Sequence, residues 1–173
     1  MKKVALILSL AVVGLTGCSE IGDDMSSDTP VTVTGNASEA ATSTANTLVK
    51  VTVNAGEAPT ITAPSGDAPT ELVAEDVTAG SGTEIVATST LTVHYTLMKW
   101  SDGSILESSW SSGAPATFPL SGVIQGWQQG LLGAKVGGRR LLVIPPALGY
   151  GPMAGHPLEK DTLIFAVDII AVS

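Results

Sequence analysis

The residues that could do chemistry in this sequence are mainly aromatic, and no aromatic residue lies before Tyr95. Trp127 falls in a short predicted helix, and Tyr150 lies between two glycines in a loop. Large rings contribute the most apolar area per residue to a core or a pocket. A ring in an exposed turn gains little from packing, so Tyr150 favours a functional role. Tyr95 and Phe165, taken alone, fit a core or a pocket equally well. The chemistry that this set predicts is binding of an apolar group.

Conventional catalytic arrangements are absent from the sequence. It contains no Gly-x-Ser-x-Gly turn, and two histidines with one cysteine cannot build a usual zinc site. Gly137-Gly138 lacks the lysine and the strand–loop–helix context of a phosphate-binding loop. Ser108, His156 and Glu107 could be imagined as a triad, but their spacing does not favour one. We therefore expect neither a metal nor a cofactor.

Charge excludes two further classes of partner. The formal net charge is −8 and the isoelectric point is near 4.5. Binding to nucleic acid needs a basic surface that neutralises phosphates, and an electrostatic hold on anionic lipid needs the same. We expect no nucleic-acid partner and no basic membrane patch. Arg139 and Arg140 open a predicted strand, and we expect them on a solvated face beside nearby acids.

The first 17 residues predict a lipoprotein signal peptide. Lys2 and Lys3 precede an apolar run over residues 4–15, which is too short to span a bilayer. Leu15-Thr16-Gly17-Cys18 then resembles the lipobox of bacterial lipoproteins, in which the cysteine carries acyl chains such as palmitate. The alternative is an ordinary secretory peptide with a stray cysteine. The hypothesis is an extracytoplasmic protein held by a lipid at Cys18 on a bacterial cell membrane.

Two segments separate that cysteine from the main domain. Residues 18–47 contain almost no large apolar side chain and predict a disordered tether, since they cannot bury enough surface to offset their ordering entropy. Residues 48–69 begin with a β-branched run and are then broken by prolines. They predict a pair of strands appended to the domain.

Residues 70–173 predict one α+β domain, an approximately five-stranded antiparallel sheet wrapped on one short helix. Alternation is strongest over residues 91–98, where Leu91, Val93, Tyr95 and Leu97 share one face. Asp102-Gly103 is a hairpin signal. The predicted helix covers residues 123–132. The predicted strands cover residues 71–77, 91–98, 104–107, 115–120, 137–144 and 161–172.

The order of the motifs in this domain resembles that of the FKBP-type peptidyl-prolyl cis–trans isomerases. The similarity covers about 100 residues, and the N-terminal segments lie outside it. The matching pieces are Val93-His94-Tyr95-Thr96, Asp102-Gly103, Glu107-Ser108-Ser109, Phe118-Pro119-Leu120, Val123-Ile124-Gln125-Gly126-Trp127, Val136-Gly137-Gly138-Arg139-Arg140, Ile144-Pro145-Pro146, Gly149-Tyr150-Gly151, Gly155-His156-Pro157 and Thr162-Leu163-Ile164-Phe165.

The resemblance implies a pocket for a proline ring. It places Trp127 on the floor of that pocket and implies that the walls come from other apolar side chains, namely Tyr95, Val123, Ile124 and Phe165. It also implies that the Ile124 N–H and the Tyr150 hydroxyl donate hydrogen bonds to the bound peptide. Tyr95, Trp127, Tyr150 and Phe165 are thus the implied catalytic residues.

Other implied substrate contacts depart in part from the family pattern. Glu107 stands where the family usually has Asp, and His156 lies on a loop that overhangs the cleft. Leu106 occupies a pocket position that is commonly Phe, and Ala116 stands where another aromatic often lies. The loop over residues 158–161 is short. These departures are expected to open the pocket, to weaken binding of rapamycin-type macrolides and to affect turnover less.

The resemblance implies an enzyme that isomerises X–Pro bonds of exported or extracytoplasmic proteins. An apolar pocket and fixed hydrogen bonds would suffice, without covalent or acid–base chemistry. We expect a monomer whose partners are proline-containing polypeptides and, through the lipid anchor, the membrane. The alternative is a non-catalytic peptide-binding or chaperone lipoprotein on the same fold.

Overall fold

The computed structural model of the chain describes residues 49–53 and 56–173. These residues belong to one compact unit. The predicted signal peptide (residues 1–17), Cys18 and the predicted tether (residues 18–47) lie outside them. Within the described ranges, no helix is long and apolar enough to cross a membrane.

Six antiparallel strands and one short helix make up the regular structure of the described residues, so the predicted α+β fold is confirmed. In the sheet the strand order is β1-β5-β6-β2-β3, and β4 pairs with the first part of β2. Short 3-10 turns precede and follow the helix. The elements are β1 (Val73–Thr78), β2 (Thr90–Lys99), β3 (Ile105–Ser108), β4 (Ala116–Pro119), α1 (Gln125–Gly130), β5 (Arg139–Ile144) and β6 (Leu163–Val172).

Strand β2 is the centre of the sheet and pairs with three other strands. The predicted alternation is confirmed: Leu91, Val93, Tyr95 and Leu97 are buried together in one hydrophobic cluster. Side chains on a strand alternate between the two faces of the sheet, so these four point the same way. Strand β6 pairs with β2 along its whole length, and the pairing sets Phe165 opposite Leu97. The face that carries Tyr95 therefore also carries Phe165.

Helix α1 is only six residues long and packs closely against β5. A Cβ atom added at Gly126 would collide with Ile144, and one added at Gly130 would lie 2.7 Å from Leu142 Cδ2. The glycines therefore allow the helix to approach the sheet. They also lower its intrinsic stability, which explains why it is shorter than the predicted residues 123–132. Contact with the sheet fixes where Trp127 lies.

The Asp102-Gly103 turn joins β2 to β3, as predicted. Gly103 has φ of 66°, a conformation that glycine adopts without strain. Asp102 Oδ1 accepts hydrogen bonds from the Ser104 N–H at 3.0 Å and from its hydroxyl at 2.6 Å. These bonds and the ion pair to Lys99 lower the pKa of Asp102 to about 2. The turn holds β3 in register against β2.

The opposite face of the sheet is covered by the segment before β1, here called the N-terminal clasp (residues 49–53 and 56–63). Val51 and Ile61 form a single antiparallel bridge, so the predicted strand pair is present only as that bridge and the bonds beside it. The Thr52 N–H donates to the Thr60 carbonyl at 3.1 Å, and the Thr62 N–H donates to the Lys50 carbonyl at 2.9 Å. Val49 and Ile61 are buried in a second hydrophobic cluster with Val77, Met98, Leu141, Val143, Ile164 and Ala166. The clasp thus gives the sheet a second core.

Arg139 joins the clasp to the sheet. Its side chain is 0 % exposed, so the expectation of a solvated face is wrong for this residue. Its Nε donates to Asp168 Oδ1 at 2.9 Å. Nη1 donates to the Thr52 carbonyl at 2.8 Å and Nη2 to the Glu57 carbonyl at 2.6 Å. Burial raises the pKa of Asp168, and the Arg139 guanidinium opposes that increase. The clasp supplies two of the acceptors that make the burial of this cation tolerable.

Replacing Arg139 by Met tests this arrangement. The variant leaves the buried Asp168 carboxylate without its cation and the two clasp carbonyls without their donor. We expect the free energy of unfolding to fall by about 3–5 kcal/mol in urea titrations followed by tryptophan fluorescence. Arg140→Met is the matched control, because Arg140 pairs with the half-exposed Asp76 at 2.9 Å. Its cost should stay below about 1 kcal/mol. Equal losses in the two variants would contradict the role given to Arg139.

Candidate functional site

One cavity of about 450 Å³ lies beside the helix, on the face of the sheet that carries Tyr95. The sheet, the turn before α1, the helix and the loop after β5 all contribute to its lining. The lining residues are Tyr95, Leu97, Glu107, Phe118, Gly122, Val123, Ile124, Trp127, Tyr150, Met153 and Phe165. Seven of the nine predicted catalytic and substrate-binding residues are therefore brought together, and Leu106 and His156 are not among them.

Trp127 is the residue around which the aromatic rings of the cavity are arranged. Its side chain is buried, and its ring meets Phe165 at a centroid distance of 5.3 Å and an interplanar angle of 84°. Tyr95 lies at 5.7 Å and 85°, and Phe118 at 6.1 Å and 88°. Edge-to-face contacts of this kind are favourable because the positive edge of one ring meets the negative face of another. They fix four rings in a rigid apolar site.

The Tyr95 hydroxyl donates a hydrogen bond to Glu107 Oε1 at 2.5 Å. Burial, and next this hydrogen bond, raise the pKa of Tyr95 well above its usual range. The phenol therefore stays protonated at every physiological pH. Glu107 is the one charged residue in the described lining, and Tyr95 fixes its carboxylate at the cavity wall.

Ile124 presents a backbone donor at the start of helix α1. Its carbonyl accepts the N–H of Trp127 at 3.0 Å and that of Gln128 at 3.2 Å. Gln128 Nε2 in turn donates to the Val123 carbonyl at 2.7 Å. Within residues 49–53 and 56–173, no oxygen accepts the N–H of Ile124. This N–H is thus available to a ligand in the cavity.

Tyr150 lines the cavity from the loop after β5, and its ring stacks on His156 with a centroid distance of 4.1 Å and an angle of 12°. The Tyr150 hydroxyl makes no hydrogen bond to any residue that the structure describes. His156 touches Tyr150 and does not itself line the cavity. Its predicted role as a substrate contact is therefore replaced by a contact to another site residue.

Leu106 does not line the cavity, contrary to the prediction. Strand β2 pairs Leu97 with Glu107 and Met98 with Ile105, so Leu106 is the extra residue of a β-bulge. Its side chain is 43 % exposed. The bulge directs the Glu107 side chain to the wall of the cavity and leaves the Leu106 side chain outside it. Ala116, the other departure noted in the sequence, also lies outside the lining.

Four lining residues were not among the predicted site residues: Leu97, Phe118, Gly122 and Met153. The alternation of β2 placed Leu97 on the same face as Tyr95, which was a usable signal. Phe118 lies in a motif that resembles the family, but the resemblance assigns no site role to this residue. Met153 is 53 % exposed at the rim, and no pattern in the sequence marked it.

The described residues contain no group of three or more histidine, cysteine, aspartate or glutamate side chains that could hold a metal. The cavity combines an apolar aromatic floor with three donors that have no partner among the described residues: the Ile124 N–H, the Tyr150 hydroxyl and the buried Trp127 Nε1–H. Such a site can bind an apolar ring that is flanked by hydrogen-bond acceptors.

Comparison with known proteins agrees with that chemistry. Residues 82–170 match the family described as FKBP-type peptidyl-prolyl cis-trans isomerase. A probable FK506-binding protein from Corynebacterium glutamicum is 46% identical over 109 residues, which are 62% of this chain and 92% of the relative. An FK506-binding protein from Streptomyces anulatus is 41% identical over 114 residues, 63% of this chain and 92% of the relative.

A solved structure extends the similarity to three dimensions. The crystal structure of FkpA from Escherichia coli is 40% identical with a TM-score of 0.55 and covers 60% of this chain. This chain spans about half of that protein, 49% of its length. Fold, aromatic cavity and sequence together define a proline-isomerase domain. The chain belongs to the FKBP-type peptidyl-prolyl cis–trans isomerase family, whose members are enzymes.

Phe118→Leu and Leu106→Ala form a matched pair that tests the boundary of the cavity. Phe118 loses its edge-to-face contacts with Tyr95 and Trp127, so kcat/KM on a Leu-Pro peptide should fall about three- to tenfold. Leu106→Ala removes an exposed side chain outside the cavity and should leave kcat/KM within about twofold. The reverse order of effects would place Leu106, not Phe118, at the substrate.

Proposed function

We propose that the cavity is the isomerase site of this chain and that its substrates are X–Pro bonds of exported polypeptides. The observation that carries the proposal is the Trp127 ring, met edge-on by Tyr95, Phe118 and Phe165. A proline ring is apolar and rigid, and it fits a site made of rigid rings. All four of these aromatic residues belong to one chain.

Rotation about an X–Pro bond has a barrier of about 18–20 kcal/mol, because twisting destroys amide resonance. The planar amide is more polar than the twisted one, so water stabilises the planar form preferentially. A cavity lined by Trp127, Phe165 and Val123 removes that stabilisation and favours the twisted transition state. Each ~1.4 kcal/mol of this differential binding changes the rate tenfold.

Two donors hold the peptide while the bond turns. The Ile124 N–H and the Tyr150 hydroxyl are free of partners in the described part of the chain and lie at the cavity. Each can donate to a carbonyl oxygen of the bound peptide. Because one donor belongs to the helix start and the other to the loop after β5, the flanking peptide is fixed on two sides. Only the X–Pro bond is then free to rotate.

The proposed mechanism moves no proton. Glu107 already accepts the Tyr95 hydrogen bond, and the raised pKa of Tyr95 keeps the phenol protonated. General acid–base catalysis would need a group that exchanges a proton near neutral pH. In the proposed mechanism the cavity contributes only desolvation and hydrogen bonding.

This mechanism predicts a nearly flat profile of kcat/KM between pH 5.5 and 8.5 on a Leu-Pro or Phe-Pro peptide. The Tyr95 phenol does not titrate in that range because its pKa is raised, and backbone donors do not titrate. Thermal melts at each pH exclude unfolding as a cause of any change. A tenfold bell-shaped change in kcat/KM that persists in the Tyr150→Phe variant would replace desolvation by acid–base chemistry.

The same assay separates the enzyme from the alternative, a peptide-binding or chaperone protein. A non-catalytic binder would bind a proline peptide by calorimetry without accelerating its isomerisation. The unbroken set of rings around Trp127 and the free donors favour catalysis. Binding without acceleration would leave the aromatic cavity as a recognition site only.

Macrolide binding is proposed to be present but weak. The relatives named FK506-binding proteins are similar to this chain over most of their length. Leu106 and Ala116 supply no ring to the cavity here, so a large ligand finds fewer aromatic contacts at the rim. Aromatic contacts contribute strongly to such binding.

We further propose that the chain is a lipoprotein, acting as a monomer outside the cytoplasm of a bacterial cell. The support is in the sequence, where the sole cysteine, Cys18, ends the apolar run at Leu15-Thr16-Gly17. One acyl chain gives marginal membrane binding, whereas several anchor a protein stably. A membrane-held isomerase would meet exported chains as they fold.

Cys18→Ser tests the anchor in a bacterial cell that processes lipoproteins. We expect the wild-type chain in the membrane fraction with a mass increased by its acyl chains. The Cys18→Ser variant should be unprocessed, or released as unmodified protein, with unchanged isomerase activity. Equal mass and equal membrane partition of the two chains would show that Cys18 is not lipidated.

A further inference from the structure

His156 belongs to a loop of consecutive turns that begins at Tyr150. The Met153 N–H donates to the Tyr150 carbonyl at 2.9 Å, and the His156 N–H donates to the Met153 carbonyl at 3.0 Å. The Glu159 N–H then donates to the His156 carbonyl at 3.0 Å. His156 thus lies where one turn ends and the next begins. We call residues 150–161 the cavity loop.

Within the described part of the chain, the His156 ring makes one hydrogen bond and one stacking contact, and both lie within the cavity loop. Nδ1 accepts the Leu158 backbone N–H at 3.1 Å. A backbone N–H can only donate, so Nδ1 carries no proton and the neutral ring has its proton on Nε2. One face of the ring stacks on Tyr150 at 4.1 Å. The hydrogen bond fixes the orientation of the imidazole, and the imidazole then limits the orientation of the phenol.

A second hydrogen bond closes the same loop. Glu159 Oε2 accepts the Gly155 N–H at 2.7 Å, one residue before His156. The carboxylate joins the turn before His156 to the turn after it. Charge-assisted hydrogen bonds of this kind are stronger than neutral ones. The backbone on both sides of His156 is therefore held independently of any substrate.

The Tyr150 ring packs against the main hydrophobic cluster as well as against His156. The residue lies between Gly149 and Gly151, and its hydroxyl has no partner in the described ranges. With no hydrogen bond at the hydroxyl, the orientation of the phenol depends on what packs against its ring. The nearly parallel imidazole, inclined by 12°, supplies that packing on one face. The cavity lies beside the same tyrosine.

We propose that His156 is a positioning residue that acts through Tyr150. Its imidazole, oriented by the Leu158 N–H, holds the phenol so that the hydroxyl points to the carbonyl of the bound peptide. The inference rests on the proposed function, in which that hydroxyl donates to the substrate. His156 itself touches no substrate. Its effect on catalysis passes entirely through the orientation of one neighbouring ring.

A double-mutant cycle tests the proposal in the full chain, with kcat and KM measured on a Leu-Pro peptide. Tyr150→Phe removes the hydroxyl and keeps a ring, and should lower kcat/KM about three- to tenfold. His156→Ala should lower kcat/KM by a similar factor. The double variant should be no worse than Tyr150→Phe alone, because a positioned hydroxyl that is absent cannot be lost again.

Two conservative variants separate the stacked face from the Nδ1 acceptor. His156→Phe keeps a flat ring against Tyr150 and loses the acceptor, and it should recover most of the activity that His156→Ala loses. His156→Asn offers an acceptor to Leu158 without a ring, and it should resemble His156→Ala. Lys160→Ala is the control on the same loop, since the Lys160 side chain is 90% exposed, and it should match the unmodified chain. Thermal melts confirm that each variant is folded.

The outcomes distinguish this inference from the proposed function. If Tyr150→Phe lowers activity and His156→Ala lowers it further by the same factor in the Tyr150→Phe background, positioning is overturned and the role of the hydroxyl stands. Recovery by His156→Asn and not by His156→Phe also overturns stacking as the cause. If Tyr150→Phe has no effect, the hydroxyl's role and the positioning of Tyr150 are both overturned.

Discussion

The edge-to-face packing of three rings on Trp127 is the interaction on which the rest of this structure depends. It requires Tyr95 and Phe165 on one face of the central strand pair and Phe118 on the adjoining short strand. It also requires a helix close enough to the sheet to bring the indole among them. Glycine at the two helix positions that face β5 permits that approach. A rigid apolar cavity follows from these distances without any group that exchanges protons.

The two faces of the sheet pack against different parts of the chain. One face carries the cavity, and the other is covered by the N-terminal clasp, which lies outside the matched family region of residues 82–170. Arg139 connects the clasp to Asp168 across the sheet. A buried cation is tolerated only where several acceptors surround it, so the clasp and this arginine depend on each other. The sheet beneath the cavity is consequently packed on both sides.

The floor and the rim of the cavity come from different elements. Trp127 and Phe165 are fixed by the helix and the sheet, whereas Tyr150 and Met153 belong to the cavity loop. A floor of packed rings suits a proline, which is the same in every substrate. In the proposed function, the rim would meet the residues that flank the proline, and these vary among polypeptides. The stack of His156 covers one face of Tyr150, the rim residue whose hydroxyl is proposed to bind the peptide.

The sequence alone determined the features that depend on local pattern. Alternation on β2 predicted the buried face that carries Tyr95, and Asp102-Gly103 predicted the hairpin, because both are set by neighbouring residues. Motif order indicated the role of Trp127. Only the tertiary structure decided that a bulge turns Leu106 away from the cavity and that Arg139 is buried. A bulge depends on the register of a partner strand, and two of the three acceptors of Arg139 lie more than 80 residues earlier in the chain, at Thr52 and Glu57.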